Sequence, residues 1–203
     1  MIGRREARKQ DRREAIVAAA RRSFLDNGYA ATSMSGLLKT LGGSKATLWG
    51  YFRSKEELFA AVIEDVTLVL RLQLESELLA SAELRPTLVT FCRSFMNKMA
   101  NPDAVATWRL VVAESGRFPE VGRIFYERAA RHVERALADY LAEQVQAGRI
   151  GGEAPDRMAQ LLISMCAAEQ NKFLWGVALV DAGDQAADAE RYADYFLRLF
   201  SPA

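Results

Sequence analysis

Apolar residues recur at helical spacing along almost the whole chain, while the strict alternation that is typical of strands is rare. The first clear apolar stripe lies between Arg12 and Asn27, where Ile16 and Phe24 fall on one side of a helix. Asn27 and Gly28 supply a C-terminal stop for that helix. Repeated along the chain, this pattern predicts an all-α fold of about nine helices.

Two short helices are predicted next. Thr32 or Ser33 can cap a helix that ends at Gly42, and Ser44 can cap another that spans Lys45–Tyr51. A helix of only two turns is unstable by itself, so the second of these must be supported by its neighbours.

Longer helices follow the two short ones. Ser54, with Glu57 three residues later, forms a capping box that opens a fourth helix, which we expect to run to about Ala80. The domain boundary is expected inside this helix rather than in a loop. Later helices are predicted for residues 86–99, from 101, from 119, from 155 to about 180, and for 185–200.

Charge divides the chain more sharply than hydropathy does. Residues 1–55 hold 12 Lys/Arg against 4 Asp/Glu, a net of +8, whereas the rest hold 15 against 22, a net of −7. A basic segment on an acidic body is typical of a protein that meets a polyanion at one end. The alternative is that these charges only form a solvated surface.

The composition indicates a globular protein, with no segment long and apolar enough to cross a membrane. The charged N-terminus lacks the apolar stretch of a signal peptide, so we expect a cytoplasmic protein. Cys92 and Cys166 are far apart in sequence and match no metal spacing, which favours buried thiols, although a disulfide stays open.

The two short helices and the Gly42–Gly43 turn between them predict a helix-turn-helix, whose second helix can enter the major groove of DNA. Leu48 and Phe52 would anchor this second helix. Lys45, Thr47, Trp49 and Tyr51 would then face outward. Helix-turn-helix geometry also occurs in proteins that bind no DNA, so spacing alone leaves both interpretations open.

The stretch "TSMSGLLKTLGGSKATLWGYFRSKEELFAAV", residues 32–62, closely resembles the DNA-binding domain of the TetR family of bacterial transcriptional regulators. "WRLVVAESGRFPEVGRIFYERA" resembles, more loosely, the regulatory half of the branch related to multidrug-efflux repressors. The resemblance implies an all-α dimer with a DNA-binding domain at residues 1–55. Residues 56–203 would form the ligand-binding and dimerisation domain.

The same resemblance implies which residues meet DNA. Thr32, Tyr51 and Lys55 fall where the family contacts phosphates. The groove-facing helix carries Ser44, Lys45, Ala46, Thr47 and Trp49. This chain departs from the family pattern in having Gly43 for an apolar residue, Trp49 for tyrosine and Gly50 for a longer polar residue. The operator sequence therefore cannot be borrowed from a relative.

The body is rich in aromatic residues and methionine, which pack as core in most proteins. Because the family body contains a cavity, the resemblance implies that part of this set binds a small apolar or cationic ligand. The predicted ligand contacts are Phe91, Phe95, Met99, Trp108, Phe125, Met165, Glu169 and Phe173. Glu169 would face a cationic ligand or pair with Lys172 or a partner chain. Glu114 is interpreted as a structural partner of Arg117.

Nothing in the sequence supports an enzyme. There is no nucleophile elbow, phosphate loop or zinc motif, and the single histidine, His132, lies among arginines. We therefore predict no catalytic residue, no metal and no cofactor.

The last two helices, predicted for residues 155–180 and 185–200, are more apolar than a solvent-facing hairpin requires. We expect one face of the last helix to pair with a second chain in a four-helix bundle. That face carries Tyr192, Phe196, Leu199 and Phe200. The sequence thus predicts a homodimeric repressor that leaves double-stranded operator DNA when a hydrophobic small molecule binds. The alternative is a helical ligand-binding or adaptor protein that has lost DNA binding.

Overall fold

The structure is a computed structural model that describes residues 3–42, 44–79, 83–168, 172, 174–177 and 182–202. All of its regular elements in those ranges are helical, which confirms the predicted all-α class. The helices are α1 Arg4–Ala31, α2 Met34–Leu41, α3 Lys45–Tyr51, α4 Lys55–Leu79, α5 Leu84–Met99, α6 Pro102–Ser115, α7 Pro119–Phe125, a π-helix Tyr126–Ala130, α8 Arg131–Gln146, α9 Pro155–Cys166 and α10 Ala182–Phe200.

Serine caps begin three consecutive helices. The Ser33 hydroxyl accepts the Gly36 N–H at 3.0 Å, so Ser33 rather than Thr32 caps α2. Ser44 caps α3. Ser54 accepts the N–H of Glu57 at 3.1 Å, and the Glu57 carboxylate accepts the Arg53 N–H at 2.7 Å. The predicted starts of α3 and α4 are therefore confirmed.

Two predicted helix boundaries are wrong. Helix α1 begins at Arg4, well before Arg12, because its polar first turns consist mainly of strong helix formers. Helix α9 ends at Cys166 and not near residue 180. A later turn closes at Gly176, where φ is 69° and the Val177 N–H donates to the Lys172 carbonyl at 2.9 Å.

The chain forms two compact units. The head unit comprises Met1–Thr67 and Ala106–Ala129, and the body unit comprises Leu68–Val105 and Ala130–Ala203. One boundary falls within α4, after Thr67. The head core joins α1, α2, α3 and α4 to α6 and α7. At its centre Phe59 packs edge to face against Phe24 and Tyr29, whose rings stack on each other.

The body unit packs α5 against α9 and α10, and α8 against α9. Phe91, Cys92 and Phe196 are fully buried in its core. Phe196 therefore belongs to the interior of the protomer, and its predicted place on an exposed dimer face is wrong. Two other residues of α10, Leu199 and Tyr195, face outward instead, and they are 61% and 46% exposed.

Cys92 and Cys166 are free and buried in the body core, which confirms the prediction of buried thiols over a disulfide. A hydrogen bond with Cys92, together with burial, raises the pKa of the Cys166 thiol. Within the described ranges, none of the helices has the length and apolar character needed to cross a membrane.

Candidate functional site

Helix α3 projects an almost entirely exposed surface from the head unit. Leu48 and Phe52 are buried in the head core, which confirms their predicted role as anchors. On the other side, Ser44, Lys45, Ala46, Thr47 and Trp49 are exposed. Trp49 is 47% exposed, a large value for a tryptophan.

The first turn of α3 is held by a local pair of hydroxyls. The Ser44 Oγ accepts the Thr47 N–H at 3.1 Å and lies 2.8 Å from the Thr47 Oγ1. Both hydroxyls remain exposed, so the cap fixes their positions without removing them from a nucleic-acid partner. Lys45, between them in sequence, adds a positive charge at this end of the helix.

Thr32 occupies a different environment. Its side chain is only 3% exposed, and its hydroxyl donates to the Gly28 carbonyl at 2.9 Å and lies 3.0 Å from the Ser23 hydroxyl. Its N–H also donates to Gly28, at 3.3 Å. These bonds close the end of α1, so a phosphate contact by Thr32 would have to replace one of them. Tyr51 is half-buried against the head core.

Lys55 joins the start of α4 to the end of α1. Its ammonium lies 3.4 Å from the Ala30 carbonyl oxygen and 4.1 Å from the centre of the Tyr29 ring. Burial lowers the pKa of Lys55, an effect that the carboxylates of Glu56, Glu114 and Glu120 oppose. The predicted phosphate contact therefore belongs to a lysine that also stabilises the head.

Glu114 holds the end of α1, a contact that the sequence did not indicate. Its carboxylate accepts the Ala30 N–H at 3.3 Å, and a methyl group at Gly28 would lie 2.7 Å from its Oε1. The structural role predicted for Glu114 is supported, but through α1 instead of Arg117. The Arg117 guanidinium lies over the Phe118 ring, 5.4 Å from its centre.

Two arginines of α1 also contact the helix-turn-helix. The Arg12 guanidinium donates to the carbonyl oxygens of Leu41 and Gly42, at 3.3 Å and 2.6 Å. Arg13 lies over the ring of Phe52, 5.2 Å from its centre. In the sequence, both arginines count only as charges of the basic segment. Their position one turn before Ile16 and Val17 could have indicated that they lie on the side of α1 that faces the core.

The residues predicted to contact a ligand fall into separate groups. In the body unit, Phe91 and Phe95 are buried and stack with their ring centres 6.1 Å apart. Met99 and Met165 are half-buried in the same unit. A ligand could reach Phe91 only if its neighbours moved, since its side chain is fully enclosed.

Trp108 and Phe125 belong to the head unit, where their rings pack edge to face with centres 5.3 Å apart. Both side chains are half-buried. The predictions for Glu169 and Phe173 concern positions outside the described residues. Among the residues that are described, no group of His, Cys, Asp and Glu is arranged to hold a metal ion.

Family models match both parts of the chain. Residues 16–62 match the N-terminal domain of "Bacterial regulatory proteins, tetR family". Residues 86–202, more than half of the chain, match "AefR-like transcriptional repressor, C-terminal domain". The chain belongs to the TetR family of bacterial transcriptional regulators.

Curated TetR-type relatives include the HTH-type transcriptional regulator BetI of Rhizobium meliloti (strain 1021). It is 36% identical over 121 residues, which are 59% of this chain and 60% of that protein, so the chain spans less than two thirds of it. The HTH-type transcriptional repressor Rv1474c of Mycobacterium tuberculosis is 28% identical over 155 residues, or 76% of this chain and 77% of that protein.

Solved structures extend the TetR likeness over both units. The flavonoid-responsive regulator FrrA matches with a TM-score of 0.80 and 31% identity, over 95% of this chain and 98% of that chain. A TetR-family regulator of Mesorhizobium loti MAFF303099 has a TM-score of 0.83 at 22% identity, over 96% and 99% of the two chains, and shows the fold alone.

Two departures from the TetR pattern are now visible in structure. Gly50 is helical and exposed within α3, and apart from its chain neighbours and the adjacent backbone of α3, no described atom lies within 4 Å of the position that a methyl group would occupy. Trp49 points away from the core. Gly43 lies outside the described residues. Helix α3 is thus capped by Ser44 at its N-terminus and closed at its C-terminus by the bond from the Phe52 N–H to the Leu48 carbonyl.

Proposed function

We propose that this protein is a homodimeric, cytoplasmic TetR-family repressor that leaves its operator when a hydrophobic small molecule binds. The observation that carries the proposal is α3, a capped helix fixed by Leu48 and Phe52 with polar and aromatic side chains facing away from the core. Such a helix can enter the major groove, where base edges present a distinct pattern of donors, acceptors and methyl groups.

Within this proposal, residues of α3 would read bases and residues at its edges would position it. Lys45 and Thr47 offer hydrogen bonds to base edges, and Ala46 and Trp49 offer apolar contact to thymine methyl groups. The Ser44 hydroxyl, the Tyr51 phenol, the Lys55 ammonium and Thr32 would contact phosphates or support those that do. Residues 1–55 would then form the DNA-binding domain.

Residues 56–203 would form the ligand-binding and dimerisation domain. The exposed apolar side chains of α9 and α10 support a four-helix bundle with a second copy, because Leu161, Tyr195 and Leu199 otherwise remain in water. A symmetric dimer would place two α3 helices on half-sites about 34–36 Å apart.

The ligand would be an apolar or cationic small molecule. The stacked rings of Phe91 and Phe95, in the same unit as the half-buried Met99 and Met165, support an aromatic ligand. Because the structurally similar FrrA is a flavonoid-responsive regulator, flavonoids are the first class to test. Trp108 and Phe125 form a second aromatic pair, and Glu169 and Phe173 complete the proposed set.

Release requires differential binding. A ligand shifts the protein away from the operator only if it prefers the form of the dimer that does not fit DNA, however tightly it binds. Helix α4 contributes residues to both units, so it is the element through which we expect this preference to be transmitted.

A gel shift tests the proposal against the adaptor alternative. The wild-type protein should bind DNA from upstream of its own gene more tightly than a scrambled fragment of equal length, and a flavonoid panel should contain compounds that weaken the complex. Equal binding to both fragments, or none, would favour the adaptor. Glycines at positions 43 and 50 would favour the adaptor by loosening this helix, but α3 is helical at Gly50 and capped by Ser44, which supports DNA binding instead.

A further inference from the structure

Two adjacent arginines of α1 contact the chain on either side of α3, Arg12 at the end of α2 and Arg13 at the residue that follows α3. Arg12 reaches the carbonyls of Leu41 and Gly42, immediately before the turn that leads into α3. Arg13 covers the ring of Phe52, the residue that caps the C-terminus of α3. Both side chains are half-buried, in contrast to the exposed Arg8 and Lys9 one turn earlier on α1.

The Arg12 contact solves a local problem of the turn. The last carbonyls of a helix have no partner inside the helix, and the helix dipole makes this end negative. Gly42 has φ 64° and, like Gly43 after it, has no side chain with which to hold the turn. A guanidinium that donates to two successive carbonyls therefore fixes where α2 ends and from which point α3 departs.

The Arg13 contact acts at the other end. Phe52 is buried, and its N–H donates to the Leu48 carbonyl at 3.0 Å, which closes the last turn of α3. A cation over its ring adds an attraction that depends on distance and therefore restricts the position of the ring.

We propose that Arg12 and Arg13 are positioning residues that brace α3 for base readout and are not phosphate contacts. This inference rests on the proposed binding of α3 to the operator. A phosphate contact contributes equally to all DNA sequences and increases the salt dependence of binding. A brace affects only contacts that need α3 in its correct place, so its loss reduces the preference for the operator.

Arg12→Met and Arg13→Met keep the aliphatic stem but remove the guanidinium. Each should lower the ratio of operator affinity to scrambled-DNA affinity by about tenfold, within the range that one base contact carries. The salt slope on scrambled DNA should stay that of the wild type. The matched controls Arg8→Met and Lys9→Met remove the same charge from exposed positions and should leave the ratio unchanged.

Arg12→Lys tests the contact with a conservative variant. Both carbonyl bonds of Arg12 come from one nitrogen, Nη2, and the lysine ammonium also offers several donors on one nitrogen, so Arg12→Lys should keep more of the operator preference than Arg12→Met does. An operator preference in Arg12→Lys as low as in Arg12→Met would overturn the proposal. So would a salt slope that becomes shallower by about one unit in Arg12→Met, since that is the behaviour of a phosphate contact.

Hydrogen exchange tests the brace without DNA. In Arg12→Met, the amides of Leu48 and Phe52 should exchange faster, while the amides of Phe59 and Ile63 in the head core keep their protection. Uniform loss of protection, or none, would overturn the brace. A wild-type protein that shows no operator preference would contradict the proposed function alone, because the exchange result does not depend on it.

Discussion

Gly28 and Gly50 differ in how an added methyl group would affect the head unit. Gly28 has φ 83° and ψ 169°, a conformation that is essentially restricted to glycine, and a methyl group there would meet the Glu114 carboxylate. We expect Gly28→Ala to lower the free energy of unfolding by about 1–3 kcal/mol. Urea unfolding, followed by circular dichroism, measures this.

Gly50→Ala is the matched variant with the opposite expectation. Gly50 is helical and its methyl group would enter open space, so alanine should stabilise the head by up to about 1 kcal/mol. Equal effects of the two substitutions would contradict the assigned backbone conformations. The sequence indicated the stop at Gly28 but gave no sign of Glu114, because their contact joins positions far apart in the chain.

Lys55→Ala tests both the proposed phosphate contact of Lys55 and its structural contacts with Ala30 and Tyr29, by two different measurements. If its ammonium contacts phosphate, Lys55→Ala should weaken binding to all DNA sequences by a similar factor and make the salt slope shallower by about one unit. The structure adds a loss of stability, because Ala30 and Tyr29 lose their cation. Fluorescence anisotropy at several salt concentrations gives the slope.

Arg93→Ala provides the control for Lys55→Ala, since it removes an exposed charge from the body unit. Its salt slope should match the wild type. A lower stability of Lys55→Ala with an unchanged slope would leave Lys55 a purely structural residue and contradict the phosphate contact.

At the scale of elements, the helix starts that carry a serine cap were readable from the sequence, whereas the packing face of α10 was not. Ser44 and Ser54 cap the helices they were expected to cap, since a cap depends on residues within one turn. The face of α10 was misassigned at Phe196 because the apolar residues of that helix cover more than one side. Which side packs inward depends on α5 and α9, and no local pattern contains that information.

The exposed face of α10 leads to a test of the dimer. Leu199→Asp and Tyr195→Asp place a charge on side chains that are exposed in the protomer but would be buried between two copies. Both variants should sediment as folded monomers. Phe196→Asp, which buries the charge in the protomer core, should instead lose helical content. A folded dimer of wild-type strength in Leu199→Asp would place the interface elsewhere.

At the scale of the whole molecule, the uneven charge of the sequence has a structural counterpart in the head. The basic segment is a helical scaffold for α3, and some of its positive charges hold that scaffold together: Arg12 bonds carbonyls, while Arg13 and Lys55 lie over aromatic rings. The composition predicted a polyanion partner. It could not show which cations are free to meet one, because that depends on tertiary contacts.

Linkage gives the last prediction. If a flavonoid lowers operator affinity by some factor, the operator must lower flavonoid affinity by the same factor, with couplings typically of about 1–3 kcal/mol. Calorimetric titration of the flavonoid into free and operator-bound protein measures both. Ala167→Phe adds bulk at a half-buried position at the end of α9 and should weaken the flavonoid but not the operator. Ala168→Phe, at an exposed position, should change neither. Equal flavonoid affinity with and without operator would exclude release by this ligand.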